Sequence, residues 1–177
     1  MKRISFVTVF VQIVALSVLS AAYAADLKMG NSPTQVYFSP DDECSTAIIN
    51  EVDKAKAKIY LQAYSFSSED IADALIKAKK RGITVEIILD KSNRTAKYSA
   101  GDAVVKAGIR THIDAAHAIA NNKVMIIDRE TVITGSFNFT KAAEERNAEN
   151  LLIIRDAKLA AIYLKNWEKH KQHSERY

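Results

Sequence analysis

Four short runs constrain this chain more than anything else in it: KIYLQAYSF at 58–66, ITVEIILD at 83–90, KVMIID at 123–128 and ENLLIIR at 149–155. Each is rich in β-branched and aromatic residues and too short for a buried helix, so each reads as a strand. Two of them, 83–90 and 149–155, are almost continuously apolar, as in strands covered on both faces. Shorter strands are expected at 35–39, 109–113 and 131–134. Between them lie helical patterns. After Asp41 and Asp42, residues Ile48, Val52 and Ala55 share one face. Ser67 or Ser68 can cap a helix reaching Arg81, with Ile71, Leu75 and Ala78 inward and Gly82 as its stop. A polar loop from Lys91 gives way to a helix ending at Gly108, and a last helix from Asp156 to about His170 sets Leu159, Ile162, Tyr163 and Trp167 on one stripe. Strands separated by helices predict an α/β sandwich, with a mixed sheet flanked by helices on both faces.

The first 24 residues stand outside this pattern. Lys2 and Arg3 precede an apolar stretch from Ile4 to Leu19, and Ala22-Tyr23-Ala24 supplies small residues at both recognition positions of a signal peptidase. We therefore expect a signal peptide at 1–24, export to the periplasm or the medium, and no stable membrane anchor after cleavage. The apolar run falls short of the ~20 residues a membrane span needs. Residues 25–177 carry no Pro/Gly-rich linker and no internal duplication, which suits one domain with one motif. Removing Lys2 and Arg3 halves the formal net charge of +4, so overall charge does not announce a nucleic-acid binder and any basic surface is local. Cys44 is the only cysteine, which excludes an internal disulfide.

The chemistry is concentrated in NNKVMIIDRETVITGSFN, residues 121–138. Lys123, Asp128, Gly135, Ser136 and Asn138 stand at fixed intervals over two strands and the turn between them. On an extended chain Lys123 projects to the same side as residue 121, and Ser136 to the same side as Asn138. A cation, a hydroxyl and an amide that converge can neutralise and hold an anionic phosphodiester. Asp128 ends an apolar strand, so a structural hydrogen-bonding role is open beside a catalytic one.

This spacing resembles the signature of the phospholipase D superfamily, and most strongly its small bacterial nuclease-type members. The resemblance extends through AYSF at 63–66, KAKKRG at 77–82, GSFNFTKAAE at 135–144 and ENLLI at 149–153. It implies a nucleophilic histidine at position 121 that forms a phosphohistidine, and a second histidine that protonates the leaving oxygen and then activates water. It implies no metal or other cofactor, since lysines and amides take the metal's part. Lys123, Ser136 and Asn138 are then the phosphate-binding residues, and Lys123 and Asp128 belong with position 121 to the catalytic set. Glu149 matches the glutamate that fixes the histidine's tautomer. With one motif per chain, the resemblance implies a homodimer whose active site lies on the two-fold interface. DNA or RNA is the implied substrate, and a phospholipid the second choice, since no apolar loop is evident beside the motif.

The departure is Asn121 itself. Its amide lone pair is delocalised into the carbonyl, so it is neither nucleophile nor base, although it can still hydrogen-bond to a phosphate. His117, four residues earlier, is roughly 13 Å away along an extended chain; His112 is further, and His170 and His173 are expected at an exposed end. The chain is therefore expected to be inactive or severely impaired, with a histidine-bearing parent active. The surrounding motif and Glu149 persist, which favours a recent or introduced change over long drift. A non-catalytic exported binder of nucleic acid or a phosphorylated ligand is the alternative of another class. Lys77, Lys79, Lys80, Arg81, Lys91 and Arg94 can form a basic rim tracking phosphates, or 77–81 can simply be the solvated end of a helix.

Overall fold

A computed structural model describes residues 30–177; the signal-peptide expectation falls outside the described residues. The strands are β1 (Thr34–Ser39), β2 (Lys58–Ala63), β3 (Thr84–Asp90), β4 (Arg110–Asp114), β5 (Lys123–Ile127), β6 (Thr131–Gly135), β7 (Glu149–Arg155) and β8 (Glu175–Arg176). They form one sheet in the order β1-β7-β6-β5-β2-β3-β4-β8. Strands β2, β3 and β4 run parallel, and every other pairing is antiparallel. The helices are α1 (Cys44–Lys54), α2 (Glu69–Lys80), α3 (Gly101–Lys106), α4 (Lys141–Glu145) and α5 (Ala157–His173).

The strand sequences build two cores through their period of two. Ile59, Leu61, Ala63, Ile87, Leu89, Met125, Ile127 and Ile133 face the larger core, packed with residues of α1, α2, α3 and α4. Tyr60, Ile88, Val124, Ile126 and Val132 face the other, closed by Ala160, Leu164 and Trp167 of α5. Trp167 is the keystone of that side. It is 1% exposed, its ring lies 4.9 Å from that of Tyr60, and its indole N–H donates to the Leu61 carbonyl at 3.0 Å. The apolar run of β3 thus has apolar partners on both faces, as its sequence predicts, and β2 and β5 place residues in both cores as well. The α5 stripe differs from expectation. Leu164 and Ala160 are buried while Ile162 is 38% exposed, because Trp167 turns the helix so that positions 160, 164 and 167 meet the sheet.

Two rims result. At one, β2, β3 and β4 end and β5 and β7 begin, so Ala63 pairs with Lys123 and Gly135 with Leu151. At the other, β2 and β3 begin. Helix α2 runs back from the first rim to the second. Ser68 caps its start by accepting from the Ile71 N–H, and Lys77, Lys79 and Lys80 sit in its last turn. Arg81 there donates to the Val52 carbonyl at 2.9 Å and pairs with Asp53. The basic stretch 77–81 therefore lies across the sheet from Lys123 and reads as the dipole-compatible end of a helix. Lys91 and Arg94 are on the first rim, but Lys91 donates to the His117 carbonyl and Arg94 to that of Arg176.

Candidate active site

The first rim gathers most of the residues singled out from sequence. Lys123 opens β5 and is half-buried. Its Nζ donates to the Asn121 Oδ1 at 2.5 Å and stands 5.5 Å from the centre of the Tyr64 ring. Burial pushes the Lys123 pKa below its usual value, and the neighbouring Glu149 carboxylate opposes that shift. Lys123 makes no ion pair among the described residues, so its closest polar partner is a neutral amide. Asn121 is exposed, and the shared side expected for residues 121 and 123 is realised in their direct hydrogen bond.

The segment after β6 explains why its sequence reads GSFNFT. Phe137 and Phe139 are each 1% exposed and belong to the larger core, so the alternating Ser136 and Asn138 are turned away from it. The Ser67 and Ser68 N–H groups both donate to the Phe139 carbonyl at 3.0 Å, which fixes this segment beside the end of β2. Ser136 Oγ donates to Glu149 Oε2 at 2.6 Å and accepts from the backbone N–H and side-chain amide of Asn150, at 3.0 and 3.2 Å. The other carboxylate oxygen of Glu149 accepts from the Asn147 amide at 3.0 Å. Asn138 Oδ1 is buried with no hydrogen-bond partner among the described residues, an unmet group of the kind that clusters at functional sites. Tyr64, Asn147 and Asn150 were not singled out from sequence. Tyr64 lies in AYSF and Asn150 in ENLLI, so the flanking matches were the available signal.

Asp128 is the correction. It follows β5 at the far rim, where its own N–H donates to the Lys58 carbonyl. Its carboxylate accepts from the backbone N–H groups of Lys56, Ala57 and Lys58 at 2.8 to 2.9 Å. The strand length separates it from Lys123, so it anchors the α1–β2 connection and does not reach the phosphate site. Burial raises the Asp128 pKa, but these three donors outweigh it and hold the carboxyl below its usual range. Its contribution to stability is therefore full above the unfolded carboxyl value of about 3.9 and is lost as pH falls through the lower folded value. Its φ of 53° also suits Asp or Asn better than Ala. Asp128→Ala is expected to cost about 2 kcal/mol at pH 7, seen in urea unfolding, with Asp128→Asn milder. An unchanged unfolding midpoint for Asp128→Ala would contradict this.

His117 does not approach Asn121's place as a substitute base: its Nδ1 lies 3.2 Å from the Asp114 carboxylate. His112 is buried on β4. Cys44 is fully buried, and burial, with the Glu144 and Asp42 carboxylates adding to it, pushes its thiol up to about 11, so it is no nucleophile. Two surface cavities of about 470 and 970 Å³ are lined by other residues, and neither includes Lys123, Ser136, Asn138 or Glu149.

Residues 48–171 match the family model described as "Cardiolipin synthase, PLD-like domain". The chain is 46% identical over 157 residues to a protein named phospholipase D from Rickettsia conorii, covering 89% of this chain and 78% of that one. Its fold matches Nuc from Salmonella typhimurium, a phospholipase D family member, at 38% identity and a TM-score of 0.79 over 82% of this chain and 98% of that one. NucT from Helicobacter pylori matches at 26% identity and a TM-score of 0.77, over 82% and 99% of the two chains. With the expected mixed sheet and helices on both faces in place, the chain belongs to the phospholipase D superfamily of phosphodiesterases.

Proposed function

We propose that this chain is an exported form, with asparagine in place of the motif histidine at 121, of a metal-independent endonuclease, which binds DNA or RNA phosphodiesters at Lys123, Ser136 and Asn138 but does not cleave them at an appreciable rate. One observation carries the reading: a half-buried lysine without an ion pair among the described residues, facing a neutral amide where a nucleophile belongs. An anionic diester supplies the missing countercharge. In the histidine-bearing parent, the residue at 121 attacks phosphorus, the leaving oxygen departs, and water later releases the phosphohistidine. Lys123 and Asn138 stabilise the equatorial oxygens. Glu149, held by Ser136 and Asn147, is ready to orient an imidazole at 121. The catalytic set is then position 121, Lys123 and Glu149, without Asp128.

In that parent the second histidine is residue 121 of a two-fold mate. With one motif per chain, the opposite wall of the cleft is supplied by a second copy. Sedimentation equilibrium at micromolar concentration should give twice the chain mass; a monomer throughout would remove the shared cleft.

A phospholipid is the second substrate reading, and here the structure alters the expectation of no apolar loop. Ile119, two residues before Asn121, is 57% exposed, and Tyr98 is 75% exposed on the loop beyond β3. Relatives named phospholipase D point the same way. Asn121→His assayed side by side on single- and double-stranded DNA, RNA and phosphatidylcholine vesicles decides the class. Faster turnover of the nucleic acids supports the nuclease reading, and hydrolysis confined to vesicles overturns it.

A further inference from the structure

Asp114, His117, His170 and His173 form a cluster that the phosphodiesterase chemistry does not use. Asp114 closes β4 and its side chain is 0% exposed. His117 lies three residues on, in the loop 115–122. His170 and His173 occupy the last turn of α5, three residues apart and so on one helix face. Around the one carboxylate, His170 Nδ1 is at 2.7 Å, His117 Nδ1 at 3.2 Å and His173 Nε2 at 3.3 Å. The three rings are 5.0 to 5.3 Å apart, centre to centre. One ligand atom from each residue lies within 4.8 Å of all the others.

We infer that these four residues form a structural site for one divalent transition-metal ion of the zinc type. Ligand bonds of about 2.0–2.1 Å in a tetrahedron place the ligand atoms about 3.4 Å apart; the three carboxylate–nitrogen distances already lie at 2.7 to 3.3 Å, and no pair is further apart than 4.8 Å. Three imidazoles and one carboxylate make a borderline-soft donor set that suits zinc better than magnesium or calcium, which prefer all-oxygen shells. All four tetrahedral positions are filled by the protein, the mark of a structural rather than a catalytic ion. The ion sits at the first rim, three strands from β5 and so roughly 14 Å from Lys123 across the sheet. It ties the C-terminal turn of α5 to the loop that delivers Asn121. That loop is held further along by the Ala120 N–H on Asp90, at 2.8 Å, and by the Asn122 carbonyl accepting from Tyr64 N–H, at 2.7 Å.

The test uses the untagged chain, stripped with a chelator and dialysed. Titration with zinc against a chromophoric chelator should give one ion per chain with Kd below about 1 μM, and Tm should rise with zinc concentration. Cobalt should give the intense visible bands of a tetrahedral site. The double variant His170→Gln/His173→Gln should bind at least about 100-fold more weakly. No stoichiometric zinc binding, or unchanged affinity in the double variant, overturns the site. Should that variant fail to fold, the cobalt spectrum of the parent chain decides: weak octahedral bands or none overturn it. The outcome is independent of whether the chain cleaves any diester.

Discussion

Asn121→His is expected to raise the rate of phosphodiester hydrolysis by at least about 10⁴-fold, equivalent to about 5.4 kcal/mol of activation free energy. The rest of the site argues for so large a gain from one side chain. Lys123 is within hydrogen-bonding distance of residue 121. Glu149 is oriented on both oxygens, by Ser136 and Asn147. The amide oxygen now on Lys123 would be replaced by an imidazole, whose nitrogen lone pair can attack phosphorus and whose second nitrogen can be held by a carboxylate. Nothing else in the cluster offers a nucleophile of that kind, since His117 rests against Asp114 and Cys44 is buried on the α1 side. Initial rates on a chromogenic diester, with both proteins at equal concentration, measure the effect. Equal rates would mean that the reaction does not pass through residue 121.

Gly135→Ala should lower stability by about 3–4 kcal/mol, or roughly 10 °C in Tm for a chain of this size. A Cβ at this position would lie 2.2 Å from the Asn150 carbonyl oxygen and 2.9 Å from its carbon. That carbonyl cannot retreat cheaply, because it accepts the Ser136 and Phe137 N–H groups at 3.1 and 3.2 Å. The backbone φ of 154° is also one that L side chains rarely adopt. The glycine before Ser136 is thus required by close approach of β6 to β7, and the same approach delivers Ser136 to Glu149. Calorimetry of Gly135→Ala tests this; a Tm within about 2 °C of the parent would show that the strands can separate at no cost.

The motif was legible because its residues are neighbours in sequence and its strands are adjacent in the sheet. Lys123, Ser136 and Asn138 needed only the period of two and one hairpin to be placed on a common rim. Asp128 was ambiguous for a local reason. A carboxylate at a strand end can serve either rim, and only the docking of residues 56–58 against it decides. The short helix α4 and the two-residue β8 carry too few residues for a periodic signal, and α4 depends on its Thr140 cap, which accepts from the Ala143 N–H. The Asp-His cluster was hidden altogether. His170 and His173 read as the polar end of an exposed helix, yet the His170 side chain is only 14% exposed. Their partners are more than fifty positions away, joined only when α5 crosses the sheet to meet the end of β4.

Asn121 is exposed, and its side-chain oxygen accepts a hydrogen bond from the tip of Lys123. An exchange there is therefore almost silent to folding. Cellular proteases and chaperones, which respond to stability, have no means of telling a chain with asparagine at 121 from one with histidine. Soluble yield and melting curves are therefore expected to be alike for this chain and its Asn121→His variant, and turnover is the measurement that separates them.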